Sequence, residues 1–401
     1  MGQGIFDGLK VIDCASFIAA PAAATVLSDF GADVIKIEPP GEGDSYRNLY
    51  KLPGMPATEI NFPWELVSRN KRSLCLDLKS PDGHAVLCDL VAQADVFITN
   101  LPLPVRRRLK VSHEDLGTLN PRLIYGSFTA YGELGDEAEK TGFDSTAYWA
   151  RSGLMDLVRA DADAAPARSV PGMGDHPSAM GFYGGIVTAL YRRERTGRGG
   201  HVSSSLLANG LWANGFFVQA ALSGLVVPPR PKREQGTNAC TSMYRCADGR
   251  WFILTLLNEE RQFLPLLALI GRPELGEDSR FATQAARRAN APALIAAFDA
   301  AFAAQPLAHW RAALDAAGIT FGLIGTLDDI AHDAQMRAAD ALVPFANETA
   351  LTVGSPFLID GEVKTQPRRA PLLGQHNADI LREAGYSDAE ILRLQKLGVL
   401  A

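Results

Sequence analysis

Residues 171–181 read PGMGDHPSAMG and set a carboxylate, Asp175, beside an imidazole, His176. A helix is predicted from about Pro177 to Arg195, so the carboxylate stands at a helix N-terminus. That place favours negative charge and offers free N–H groups. Two chemistries fit. Asp175 could cap the helix, which is all the local residues require, or it could serve as a nucleophile. His176 could act in proton transfer or make a local hydrogen bond. A second cluster, Arg106-Arg107-Arg108, follows an apolar run that closes on Asn100. Guanidinium groups there could grip phosphate through their fork of donors or line a solvated helix face. The remaining histidines lack a sequence partner that marks a metal site, so no metal is expected. The five cysteines form no Cys-x-x-Cys pair and read as reduced structural thiols.

The elements that must carry these residues alternate. The runs Leu9–Ala15 and Ala32–Pro39 are short and β-branched and predict strands. The Ala-rich stretch between them closes on Gly31, as a helix ending does. The unit then repeats. SLCLDL precedes a helix opening at Ser80, ADVFITN follows it, and PRLIYGSF is a further strand. Strand–helix–strand repetition implies a mainly parallel, Rossmann-like sheet with right-handed crossovers. No Gly-x-Gly-x-x-Gly follows the first strand, which disfavours a dinucleotide coenzyme.

Later segments differ. Val226–Gly236 is rich in Pro and charge and reads as a linker. MYRCADGRWFILTL reads as a hairpin turning at Asp248-Gly249. The expected organisation is a large domain over residues 1–225, a linker and smaller α+β domain over 226–325, and a return to the large domain over 326–401. In the tail, Ser387 and Glu390 are spaced as a capping box for the last helix.

The chain has 401 residues and a net charge of −6, enough length for more than one lobe and a balance that disfavours nucleic acid as partner. No apolar run reaches the roughly 18–20 residues that span a bilayer, and the first residues show no signal-peptide pattern. The expectation is a cytoplasmic protein without a membrane partner.

Together these segments resemble one family. GLKVIDCASFIAAPAAATVLSDFGADVIKIEPPGEGDSYR, SRNKRSLCLDL, ADVFITNLPLPVRRRL, LNPRLIYGSFTAYG, GMGDHPSAMGFYGGIVTALYRRERTGRGGHVSSSL and APLLGQHNADIL stand in the order found in class III CoA-transferases. That family includes formyl-CoA:oxalate and carnitine CoA-transferases, and also α-methylacyl-CoA racemases. The resemblance covers nearly the whole chain. It implies an interlinked homodimer, acyl-CoA and carboxylic acids as substrates, and no permanently bound cofactor.

By the same resemblance Asp175 takes the place of the catalytic aspartate. CoA transfer must exchange one thioester for another without losing the acyl group to water. A carboxylate can do this through a mixed anhydride and an enzyme-bound thioester. An ordinary Asp, with a pKa of about 3.9, is ionised at pH 7, and no separate general base is needed. The resemblance also places Ala19, Lys71, Asn100, Leu101, Arg108 and Tyr131 around coenzyme A. Arg106 and Arg107 are left to the solvated helix face.

Some positions depart from the family pattern. Pro39 stands where formyl-CoA transferase has an arginine, with Arg47 as a candidate replacement. GTNACTSMY lacks the glycine run of that enzyme's small domain. Both features disfavour a formyl-CoA/oxalate assignment. Racemases of the family carry His-Asp where this chain has Phe143-Asp144. Phenylalanine cannot shuttle a proton, which disfavours racemisation. Intramolecular transfer within a dicarboxylic acid would use the same nucleophile and stays open beside intermolecular transfer.

Overall fold

The computed structural model describes residues 4–400. The chain divides into two compact units. The larger holds the chain up to Met155, Arg168–Leu225 and the stretch from Gln335 onward; the smaller holds Asp156–Ala167 and Val226–Ala334.

The larger unit is built on a six-stranded parallel sheet. Its strands are β1 (Lys10–Cys14), β2 (Asp33–Glu38), β3 (Arg72–Cys75), β4 (Val96–Thr99), β5 (Ile124–Thr129) and β6 (Gly200–Ser205), in the order β3-β2-β1-β4-β5-β6. The Rossmann-like sheet expected from the alternation is present. The connecting helices are α1 (Ala19–Asp29), α2 (Phe62–Ser68), α3 (Pro81–Ala92), α4 (Leu103–Leu109), α5 (His113–Leu116), α6 (Leu154–Leu157) and α7 (Asp175–Thr196). α1 is buried along its whole length. Small side chains make that possible, because alanine lets backbone approach backbone without loss of packing. It ends at Gly31, whose φ of +104° suits only a residue without a Cβ. Ser80 caps α3 by accepting from the Gly83 N–H at 2.9 Å.

β6 was missed in the sequence. Its residues, GHVSSS, alternate between half-buried and exposed up to the buried Ser205 and lack an apolar run. Pairing alone defines it, with Ile124 opposite Gly200 through Thr129 opposite Ser205.

The strand order reverses between β1 and β4. In such sheets the crevice beyond the carboxyl ends of those strands is where ligands bind. Buried charges secure that end of the sheet. Asp13, inside β1, meets Lys71 Nζ at 2.8 Å and Lys36 Nζ at 3.9 Å; Lys36 reaches Asp44 at 3.0 Å. Lys71 also donates to the Pro21 carbonyl at 2.7 Å. Burial opposes the charge on Lys36, but Asp13, Asp44 and Glu38 outweigh it and raise its pKa. Burial lowers Lys71 to about 8, with Asp13 opposing and Lys36 reinforcing the fall. Nearby, Arg69 grips Asp29 with two bonds of 3.0 and 2.7 Å.

The smaller unit has its own antiparallel sheet of β7 (Met243–Arg245), β8 (Trp251–Leu254) and β9 (Phe321–Leu323), in that order. Gly249 turns the β7–β8 hairpin with a φ of +79°. Its core joins Tyr244, Phe252, Phe298, Phe302 and Trp310. The unit runs farther than the sequence boundary at 325. β9 pairs with β8, and Arg250 holds Asp329 at 2.6 Å, so the chain stays in this unit through Ala334. Asp156–Ala167 also belongs to it, through the Ala162 N–H bonded to the Arg230 carbonyl at 2.9 Å. In the tail, the Ser387–Glu390 capping box forms at the start of the Asp388–Lys396 helix. Among the described residues no single helix is long and apolar enough to cross a membrane.

Removing one member of a buried ion pair strands the other's charge and costs about 3–5 kcal/mol. Lys71→Met should therefore lower the urea midpoint of unfolding by an amount equivalent to about 3 kcal/mol. An unchanged midpoint would show that the pair does not hold this end of the sheet.

Candidate active site

A cavity of about 640 Å³ opens at the carboxyl ends of β1, β4 and β5. The loop after β1 supplies Ser16, Phe17, Ile18 and Ala19; the loop after β4 supplies Asn100 and Pro102; Asp175 reaches it from the start of α7. One side chain ties two of these loops together. Asn100 accepts from the Ser16 N–H at 2.8 Å and donates to the Ser16 carbonyl at 2.7 Å. Phe17 has a φ of +63°, unusual for a bulky residue. Its N–H donates to Asp44 at 3.4 Å, so the buried charge cluster also holds this strained turn. The Phe17 ring meets Phe143 edge-on at 5.7 Å and Tyr46 at 6.2 Å.

Asp175 is the first residue of α7, and Gly174 is the cap, with no side-chain cap bond. The capping role open in the sequence is therefore not taken. Among the described residues the Asp175 carboxylate has no hydrogen-bond or ion-pair partner. The first turn also offers fewer free amides than a helix start usually does. His176 N–H donates to the Gly172 carbonyl and Ser178 N–H to that of Gly174. Pro177 has no N–H, which leaves the amide of Asp175 itself.

Asp144 faces Asp175 from a wide turn of π-helix, Asp144–Ala150. It accepts from the Gly174 N–H at 3.2 Å and from the Ser145 N–H at 2.7 Å. Burial, then the Asp144 charge, raises the Asp175 pKa from 3.8 to about 7. This corrects the sequence expectation of an ordinary, fully ionised aspartate. Half-buried, without a donor and opposite a second carboxylate, the group loses the solvation that keeps an exposed Asp acidic. His176 is shifted down by burial and by the Arg69 charge, with Asp144 opposing. The imidazole lies against Gly172, and a Cβ there would stand 3.1 Å from His176 Cδ2.

The sequence-predicted coenzyme residues divide. Ala19 and Asn100 line the cavity with Asp175. Tyr131 borders it, lying under the Nζ of the lining residue Lys140 at 5.0 Å. Leu101 is outside the lining and packs partly against the sheet core, with its carbonyl accepting from Arg106 Nε at 2.6 Å. Arg108 is exposed on α4 and has no ion-pair partner among the described residues. Lys71 is in the interior, committed to Asp13 and Pro21, and does not line the cavity.

One arginine reading needs correction. Arg106 is no solvated residue: it is 2% exposed and bridges to Glu133. Arg47, the candidate replacement for the missing family arginine, grips Glu38 with bonds of 2.6 and 2.7 Å and stacks over Trp64 at 4.1 Å. The lysine and arginine that do line the cavity are Lys140 and Arg168. Neither stood in a sequence motif of its own, so no local signal pointed to them. Asp144 was visible only as the residue after Phe143.

A model of CoA-transferase family III matches residues 6–377. The chain belongs to that family and is a CoA-transferase. It is 31% identical to the (R)-2-hydroxy-4-methylpentanoate CoA-transferase of Clostridioides difficile, over 96% of this chain and 97% of that one. It is 33% identical to the acetyl-CoA:oxalate CoA-transferase of Acetobacter aceti, over 97% and 98% respectively. The crystal structure of a CAIB/BAIF family protein from Brucella suis matches it with a TM-score of 0.85 at 30% identity, covering 96% of this chain and 100% of that one.

The raised Asp175 pKa also bears on stability. The unfolded chain releases this proton near pH 4 and the folded chain near pH 7, so stability falls as pH rises across that window. Asp175→Asn, which carries no charge, should gain stability over the native protein between about pH 4 and 7 and keep a constant gain above. Thermal melts from pH 4 to 8.5 check this; a gain that does not change with pH would contradict it.

Proposed function

We propose that this family III enzyme transfers coenzyme A from an acyl-CoA to a free carboxylic acid through covalent intermediates on Asp175. The observation that carries the reading is an unpartnered carboxylate at the start of α7, opening on the switch-point cavity. Asp175 attacks the thioester carbonyl; the C–S bond breaks and CoA thiolate leaves, giving a mixed anhydride. The thiolate then attacks the aspartyl carbonyl carbon, the donor acid departs as carboxylate, and an aspartyl-CoA thioester remains. The acceptor carboxylate attacks that thioester, thiolate leaves again, and its attack on the acceptor's acyl carbon releases the new acyl-CoA and restores Asp175. No proton is gained or lost overall, so a neighbouring base is not required.

In this reading Ala19 and Asn100 shape the pantetheine end of the cleft, and Tyr131 borders the thioester. Arg108, exposed and unpaired among the described residues, meets a phosphate of the nucleotide. Lys71 supports the loop from behind. Phe143 takes the place of a proton-shuttling histidine, which favours transfer over racemisation. The same steps serve transfer between two separate acids and transfer between the two carboxyls of one dicarboxylic acid, and product analysis separates them.

The protein acts as a homodimer. Helices α8 (Leu206–Ala213) and α9 (Gly215–Leu222) present Trp212, 87% exposed, Phe216, 82% exposed, and Leu222, 77% exposed. Large apolar groups exposed together mark an interaction surface.

Two measurements test these readings. Incubation with an acyl-CoA and hydroxylamine should convert Asp175 to its hydroxamate, seen by peptide mass spectrometry. Asp175→Ala should lose roughly a thousandfold or more in transfer rate while still binding CoA. Near-native turnover by that variant would remove Asp175 from the reaction. Light scattering should give twice the mass of one chain, with Trp212→Glu shifting it toward the monomer; a native monomer would refute the dimer.

A further inference from the structure

The π-helical turn Asp144–Ala150 grips the residue before the nucleophile from two sides. Asp144 accepts the Gly174 N–H at 3.2 Å. Tyr148, from the same turn, lies so close over Gly174 that a Cβ there would stand 2.6 Å from its Cγ. Both gripping residues are buried. π-turns inside a fold are uncommon and concentrate at functional sites. The Asp144 carboxylate accepts two backbone N–H groups but has no ion-pair partner among the described residues.

Resting on the reading of Asp175 as nucleophile, we propose that Asp144 is a positioning residue for it. Through the Gly174 N–H it holds the start of α7, and its charge leaves the resting Asp175 anion poorly stabilised. The second effect has a direction. Attack on an acyl carbon turns the Asp175 carboxylate into a neutral anhydride, and later into a neutral thioester. Repulsion between the two carboxylates exists only in the resting enzyme and vanishes in both intermediates. An interaction that raises the ground state alone speeds the step leaving it.

Other groups face the pair. Tyr46, from the turn after β2, feels the charges of Asp175, Asp44 and Asp144. His176, from α7, feels Asp144 and Arg69. Lys140 and Arg168 line the same cavity. None forms a hydrogen bond or ion pair with Asp175, so Asp144 is the charged neighbour whose removal changes Asp175 most directly.

The test is a pH profile of kcat for the native enzyme, Asp144→Asn, Asp144→Ser and Asp144→Ala, each first checked for folding by thermal melt. Asparagine keeps an acceptor for the Gly174 N–H and removes the charge. Its acidic limb should move down by about one pH unit, and kcat on the alkaline plateau should fall about tenfold, with KM for acyl-CoA unchanged. Serine should move the limb the same way, so the electrostatic effect is read from whichever variant folds. Alanine loses the anchor as well and should be about tenfold slower than asparagine. A limb that stays at the native position in the uncharged variants overturns the electrostatic role. Alanine matching asparagine in kcat overturns the anchoring. Hydroxylamine trapping separates this from the underlying reading: native enzyme that yields no Asp175 hydroxamate defeats the nucleophile itself, whereas trapped hydroxamate with unaltered variants defeats only the role of Asp144.

Discussion

A buried carboxylate in the first strand constrains much of the large unit. Asp13 lies inside a parallel sheet, where an uncompensated charge is costly. Lys36, in the neighbouring strand β2, and Lys71, just before β3, supply the compensation, and Lys36 passes the linkage on to Asp44. Asp44 in turn accepts the N–H of Phe17. A chain of charge therefore runs from the strand interior to the strained turn that lines the cavity. The turn can keep a positive φ at a phenylalanine because that surrounding network determines its backbone.

Above this base the cleft is organised by polarity. Its walls carry the aromatic rings of Phe17, Tyr46 and Phe143, and Asp175 faces a second carboxylate, Asp144. In the proposed reaction, an apolar wall would keep water from acyl intermediates that otherwise hydrolyse. Burial, then the Asp144 charge, raises the proton affinity of Asp175, and among the described residues no donor reaches its carboxylate. A carboxylate in such a setting is a better nucleophile than an exposed one, because its electron pairs are not tied to hydrogen bonds. The surroundings that disfavour its charge also suit an intermediate in which that charge is gone.

Glycine has a particular use here. Gly174 lies where any side chain would collide with Tyr148, and Gly172 keeps a φ of +80° next to His176. Gly174 lets α7 begin flush against the π-turn, and Gly172 leaves room for the His176 ring. The location of Asp175 thus depends on the absence of a side chain at Gly174 as much as on the carboxylate it bears.

The sequence by itself determined the alternation of strands and helices, the Gly31 ending of α1, the Ser80 cap of α3, the Gly249 turn and the capping box at Ser387. These are local patterns, set by side-chain period, by φ and by hydrogen bonds that span a few residues. It also singled out Asp175 and the cavity residues Ala19 and Asn100, because they stand in extended motifs. Tertiary structure alone decided the rest. β6 has no apolar signature and exists through its pairing with β5. Arg106 reads as a solvated cation, and Lys71 and Arg47 as contacts to coenzyme A, yet each folds onto a carboxylate: Lys71 onto Asp13 in β1, Arg47 onto Glu38 in β2 and Arg106 onto Glu133 in a loop. Asp144 and Asp175 are 31 residues apart in the chain, counted from their numbers. The field one exerts on the other depends on distance and burial, and neither is written in the order of residues.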